Sequence, residues 1–218
     1  MKIFKITLVL ALLIFSNTLM AKESKPMSVK EKKERFRSLI APAVDNVYKE
    51  LDAQFNDISK NLNNPKYNKK IESLKTTYKV KSDEELLMAL KPHPRSIAVA
   101  QAAMESAWAT SRFFKKATNI FGVWSFNKNE PRIAAGEKRG TKTIWLKKYA
   151  SIEDSVRDYY KNLGRSHAFK EFRKLRVKTD DPYKLVKKLD RYSEMGAKYG
   201  KELTSMIKFN KFYLYDKQ

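Results

Sequence analysis

Apolar residues recur at helical spacing over most of this chain. From Glu34 to Asn63 they fall at 36, 39, 40, 43, 44, 47, 48, 51, 55, 58 and 62, one stripe of a long helix. Pro42 interrupts the stripe and should either kink the helix or mark its first turn. Ile71, Leu74 and Tyr78 continue the period within a basic stretch, 66–81. Ser82-Asp83-Glu84-Glu85 reads as a capping box opening a short helix, Asp83 to Leu90. Pro92 and Pro94 then force an extended connector, with His93 expected to be exposed and passive between them, and Ser96 to cap the next helix. That helix, Ser96 to about Thr110, is apolar almost without a break.

Further on, Ser111 to Lys116 reads as a short helix and Ala117 to Phe126 as a turn rich in aromatics. Strand-like alternation occurs at Thr141 to Lys148, so 132–149 is expected to be a small β-hairpin. Ser151 caps a helix running to Leu163, and further helices are expected at Phe169–Val177, from Asp181-Pro182 to about Arg191, and at Ala197–Asn210. A turn at 192–196 separates the last two.

One residue conflicts with its surroundings. Glu105 stands among Ala102, Ala103, Met104, Ala107 and Trp108, and the nearby charges Arg95, Arg112 and Lys115 lie at the edges of the segment. Desolvation raises a carboxyl pKa, and an acid kept protonated near neutrality can work as a general acid. A buried glutamate satisfied by an arginine or by backbone would look the same in sequence. Gln101 lies one helical turn before it, on the same face. Phe121, Trp124 and Phe126 beyond it suit either a sugar-stacking platform or core packing.

Composition narrows the function classes. The 218 residues contain no cysteine, which removes disulfides, thiolate metal sites and cysteine catalysis. The two histidines are far apart in sequence and no paired-histidine motif exists, so neither a metal nor another cofactor is expected. The net charge of +22 suits an anionic polymer, whether nucleic acid, acidic lipid or bacterial wall. Residues 1–21 pair Lys2 and Lys5 with an apolar core from Ile6 to Phe15, which reads as a secretory signal, cleaved after Ala21 or else kept as an uncleaved anchor. Export to the periplasm or cell envelope makes nucleic acid the least suitable of the three partners. The expected organisation is signal 1–21, basic leader 22–33, helical extension 34–80 and catalytic domain 81–218.

AQAAMESAWATSRF followed by NIFGVW resembles the catalytic signature of bacterial glucosaminidases, the glycoside hydrolases of family 73. Ala100, Gln101, Ala102, Ala103, Glu105, Ser106, Trp108, Ser111, Arg112, Phe113, Asn119, Phe121 and Gly122 carry the match. YASIEDSVRDYYKNL and LDRYSEMGAKYGKELTSMI resemble its later segments, and Leu39-x-x-Pro42 in the first helix is similar to the Bax-like subgroup. The resemblance extends over about residues 36–215.

It implies a predominantly helical, lysozyme-like α+β fold with a small β-lobe, acting as a monomer on peptidoglycan glycan strands at the β-1,4 bond after N-acetylglucosamine. Glu105 would be the general acid, with Gln101, Ser106, Asn119, Phe121, Gly122 and Trp124 about the substrate. Tyr192 would complete the cleft and orient the substrate acetamido group or a water, or else simply pack; Tyr199 is read as structural. The family's second carboxylate has no matching Thr-x-Glu here. Glu137, 32 residues after Glu105, is the first candidate and Glu130, 25 residues after it, the second. Ala107 and Ala109 stand where the family has glycine, and alanine's helix preference suggests unchanged backbone. Ala117-Thr118 alters the start of the Asn turn. A lytic transglycosylase of the same fold and a non-catalytic wall-binding module are the alternatives.

Overall fold

The computed structural model describes residues 26–217 apart from 140 and 141, and the side chains of 137–142 fall outside that description. The expected signal, residues 1–21, also lies outside the described residues. Among the described residues no helix is long and apolar enough to cross a membrane.

The fold is predominantly helical with one small antiparallel sheet. Helix α1 spans Val29–Lys60, α2 Asn68–Tyr78, α3 Asp83–Leu90, α4 Arg95–Glu105 and α5 Arg112–Ala117. Strands β1 (Arg132–Arg139) and β2 (Lys142–Lys147) form the hairpin. Then come α6 (Ile152–Arg165), α7 (Lys170–Arg176), α8 (Pro182–Leu185) and α9 (Ala197–Phe209). A 3₁₀ segment, beyond the elements expected from sequence, spans Phe212–Lys217.

Helix α1 begins earlier than its stripe suggests. Ser28 and Glu31 form a reciprocal capping box, so residues 29–33 of the expected leader are helical. Pro42 sits inside α1 rather than in its first turn. The inner face of α1 places Phe36, Ile40, Val44 and Val47 in the main core with α4, α6 and α9. Burying each such side chain contributes about 1.5–3 kcal/mol. A second cluster, built on Ile58, Ile71, Tyr78, Leu86 and Leu90, joins the end of α1 to α2 and α3. Gly164 in α6 allows this layer to approach closely, since a Cβ there would lie 2.8 Å from the Ala89 carbonyl and from the Tyr78 ring.

Helix α4 is central. Every residue from Arg95 to Ala103 is buried, which explains why its sequence is apolar on all faces rather than on one stripe. Its N-terminus is capped from outside: the Ser96 N–H donates to Asp216 at 2.8 Å, so Ser96 is not the cap itself. Arg95 is buried against Asp45 (2.8 Å) and over the Tyr48 ring.

His93 contradicts its expected exposure. It is fully buried, stacked on Tyr160 at 4.4 Å, and burial followed by the nearby Arg176 charge holds its pKa down at about 3. Contacts with Tyr159, Tyr160 and Phe172 decide its environment. The helix expected from Pro182 to Arg191 is also shorter: α8 ends at Leu185 and passes into a 3₁₀ turn, Val186–Lys188.

Candidate active site

Glu105 is the last residue of α4, five residues before the expected helix end. Ala107, Trp108 and Ala109 follow with φ of 49°, 60° and 58°, a left-handed turn of three non-glycine residues. This corrects the reading of the two alanines. Their helix preference is irrelevant because the positions require positive φ, where an L-residue costs about 1–2 kcal/mol. The turn is held by specific bonds. Ser106 Oγ accepts from the Ala109 N–H at 2.8 Å, and the Ser106 carbonyl accepts from Thr110 and Ser111. Helix α1 supports it from behind: Arg35 donates to the Ala109 carbonyl at 3.1 Å, and Phe36 meets Trp108 edge-on at 5.2 Å.

The turn places Glu105 at an exposed rim rather than within the core. Its carboxyl nonetheless has a wall of packed aromatics behind it, and this partial burial pushes its pKa up, opposed by a hydrogen bond from Tyr199. The negative end of α4 acts in the same sense as burial. The support behind it is one directed chain. Tyr159 OH donates to Gln101 Oε1 at 2.6 Å, Gln101 Nε2 donates to Tyr199 OH at 3.0 Å, and Tyr199 OH donates to Glu105 Oε1 at 2.8 Å. Burial pushes the Tyr159 and Tyr199 phenols far above their ordinary range, so both remain protonated donors. Because Tyr199 directs its proton at Oε1, that oxygen is an acceptor and the acid proton of Glu105 belongs on Oε2.

Tyr192 stacks on Tyr199 at 5.5 Å with the rings 9° from parallel. Burial and then the Glu105 charge hold its phenol protonated. Its hydroxyl makes only a long contact, 3.5 Å, to the Phe121 carbonyl. Tyr192 also forms one wall of a groove of about 510 Å³. The rest of the lining includes Gly122, Trp124, Phe126, Asp158, Arg165 and Phe169.

The aromatic run divides between the two uses open to it. Phe121 is buried and stacks on Tyr159 at 3.9 Å. Trp124 and Phe126 are 42% and 86% exposed along the groove. The intervening turn needs Gly122, whose φ is +65°. Asn119 holds that turn: its amide donates to the Val123 and Lys147 carbonyls at 2.9 Å and its oxygen accepts from the Val123 N–H. Ser125 and Lys147 bond Trp145 and Val123 through backbone, so the aromatic segment lies along β2. Arg112 donates to the Ala134 carbonyl, joining α5 to β1.

Several residues expected at the substrate are instead buried. Gln101, Ser106 and Asn119 are buried with their polar atoms already bonded, so they position Glu105, its turn and the aromatic loop. Tyr199, read as structural, is the hydrogen-bond partner of Glu105. Glu130 is occupied by Ser125 at 2.7 Å and faces Lys147 at 3.8 Å. The backbone of Glu137 belongs to β1, where the ladder register shifts between Ala134 and Lys138, but its side chain lies outside the described residues. Asp158 was not singled out from sequence. It lines the groove and accepts from Lys147 at 2.9 Å and Tyr149 at 2.7 Å. Only the contact between α6 and the hairpin distinguishes it from other helix-surface acids. Among the described residues no group of three His, Asp or Glu could hold a metal.

Comparison with known proteins bears on this arrangement. The glucosaminidase family model, described as mannosyl-glycoprotein endo-beta-N-acetylglucosaminidase, matches residues 84–212. Protein bax of Escherichia coli is 31% identical over 123 residues, which is 54% of this chain and 43% of that protein. The chain thus spans less than half the length of that relative. An N-acetylmuramoyl-L-alanine amidase structure from Staphylococcus aureus superposes with a TM-score of 0.54 at 18% identity, over 85% of this chain and 44% of that one. The catalytic domain of the autolysin Auto from Listeria monocytogenes gives a TM-score of 0.48 at 18% identity, over 88% of this chain and 99% of that one.

Proposed function

The chain belongs to the glucosaminidase family, and from that premise we propose that it is an exported peptidoglycan hydrolase cleaving the β-1,4 bond after N-acetylglucosamine. The observation that carries the reading is Glu105: a carboxyl with raised pKa, open to solvent, one oxygen held by Tyr199 and the other available. Peptidoglycan as substrate is further supported by the N-acetylmuramoyl-L-alanine amidase structure that shares the fold.

In this mechanism the glycan lies along Trp124 and Phe126, whose exposed rings suit sugar faces. Glu105 Oε2–H protonates the glycosidic oxygen as the C1–O bond breaks, and the leaving sugar departs as an alcohol. The substrate's own acetamido group, oriented by the protonated hydroxyl of Tyr192, supports C1, a route that needs no protein nucleophile. Water then adds to C1 and its proton returns to Glu105. Two described acids near the groove, Glu130 and Asp158, already have partners. That observation also fits a lytic transglycosylase, which needs one acid.

Mass spectrometry of digested sacculi separates the two. Reducing N-acetylglucosamine ends are the expected product. Anhydro-muramic ends would establish the transglycosylase, and wall binding without sugar release would establish a binding module.

A further inference from the structure

A second cavity, of about 530 Å³, adjoins the groove. Its wall is assembled from the end of α2, from α3, from α6 and from α7, segments that are remote in sequence. Five cations line it, Lys79, Arg165, Lys170, Arg173 and Lys174, against a single acid, Glu85. Over the whole chain the ratio is 46 basic to 24 acidic residues, so the cavity is more one-sided than the surface bias explains.

It is also a built feature. Arg173 is 8% exposed and is held in the wall by donating to the Leu163 and Ser166 carbonyls at 3.0 and 2.7 Å. Glu85 is committed to the Lys81 N–H at 3.1 Å. Lys174 pairs with Glu171 at 2.9 Å, whereas Lys79, Arg165 and Lys170 have no ion-pair partner among the described residues. A fixed, largely desolvated guanidinium beside unpaired lysines favours an anionic group.

The position relative to the groove indicates which anion. Asn162, Arg165 and Ser166 line both cavities, so the basic cavity is the neighbouring space for a branch leaving a glycan in the groove. The alternating sugars of peptidoglycan are uncharged along the strand. The anions are carboxylates on the peptides that branch from it. We infer that this cavity binds the carboxylates of the peptide stem, so that the protein selects glycan that still carries peptides. The inference rests on the peptidoglycan reading above.

The test uses the full chain and the double variant Lys79→Gln/Lys170→Gln, two exposed positions that line the basic cavity and not the groove. A control variant, Lys60→Gln/Lys69→Gln, removes the same charge from exposed sites elsewhere. With peptide-bearing peptidoglycan, KM should rise roughly fivefold in the first variant, the size of one or two modest ion pairs, with kcat unchanged. With glycan stripped of its peptides, and the lactyl carboxylates so freed capped as amides, neither variant should differ from wild type. Titration with a free stem tetrapeptide should show binding to wild type and control, weaker binding to the cavity variant, and none when the peptide carboxylates are amidated. An equal loss on both glycans, or in both variants, would overturn the proposal, as would peptide binding indifferent to amidation. If wild type cut neither glycan, the hydrolase reading would fall, and the peptide titration would still decide the cavity's role.

Discussion

Glu105 and the groove beside it are constructed in opposite ways. On the helical side every group that reaches the carboxyl is itself held: Tyr199 by Gln101, Gln101 by Tyr159, and the following turn by Ser106 and α1. On the hairpin side the exposed aromatics Trp124 and Phe126 lie along a two-stranded sheet whose ladder is irregular between Ala134 and Lys138. A general acid needs one orientation and a shifted pKa, which buried hydrogen bonds provide. A polymer platform needs accessible faces, which burial would remove. Under the proposed function the rigid wall would carry the chemistry and the open side would receive the glycan.

Breaking the rigid wall at its centre should have the largest structural effect. Gln101→Leu leaves the buried Tyr159 hydroxyl without its acceptor and the Tyr199 hydroxyl with Glu105 alone, and is expected to cost about 1–3 kcal/mol, measured by denaturant unfolding. A loss below about 0.5 kcal/mol, the level of an ordinary surface change, would mean that the chain of bonds is not what organises the wall.

Tyr199→Phe sharpens the same contrast. It removes the hydrogen bond that pulls the Glu105 pKa down, so that pKa moves further up. Because the proposed mechanism uses the protonated acid, activity should be lost as pH rises through this pKa, and the alkaline limb of kcat/KM should shift to higher pH. The optimum rate should fall about fivefold, the equivalent of a net hydrogen bond of about 1 kcal/mol. A limb that stays in place or moves to lower pH would show that Tyr199 does not tune Glu105.

The smallest effect concerns strain stored beside the acid. Ala107 is exposed with φ of 49°, so Ala107→Gly should stabilise the protein by about 0.5–1 kcal/mol after allowing for glycine's extra freedom when unfolded. Thr118, a β-branched residue with φ of 51°, should gain a few tenths of a kcal/mol as asparagine, which tolerates that region better. Thermal melting of both variants checks the sign.

The helical side was also the more legible in sequence. Periodicity located α1, α6 and α9 within a few residues, because each buries one stripe against a common core. Period-two alternation located the hairpin. The end of α4 was misplaced because the left-handed turn is occupied by alanine and tryptophan, which carry no turn signal; Ser106 and α1 impose it. Polar residues of the motif were assigned to the substrate because sequence spacing does not distinguish a residue that touches a ligand from one that holds its neighbour. Gln101 and Asn119 are of the second kind. His93 and Asp158 depended on contacts with α6 and the hairpin that only the folded chain reveals.

The central claim is that Glu105 donates the proton that breaks the glycosidic bond. Its most direct test is sugar release from purified peptidoglycan by Glu105→Gln beside wild type, with a melting curve confirming the fold. The account predicts a folded variant that retains wall binding and loses at least about a hundredfold in rate. A folded variant that releases sugar at the wild-type rate would contradict it.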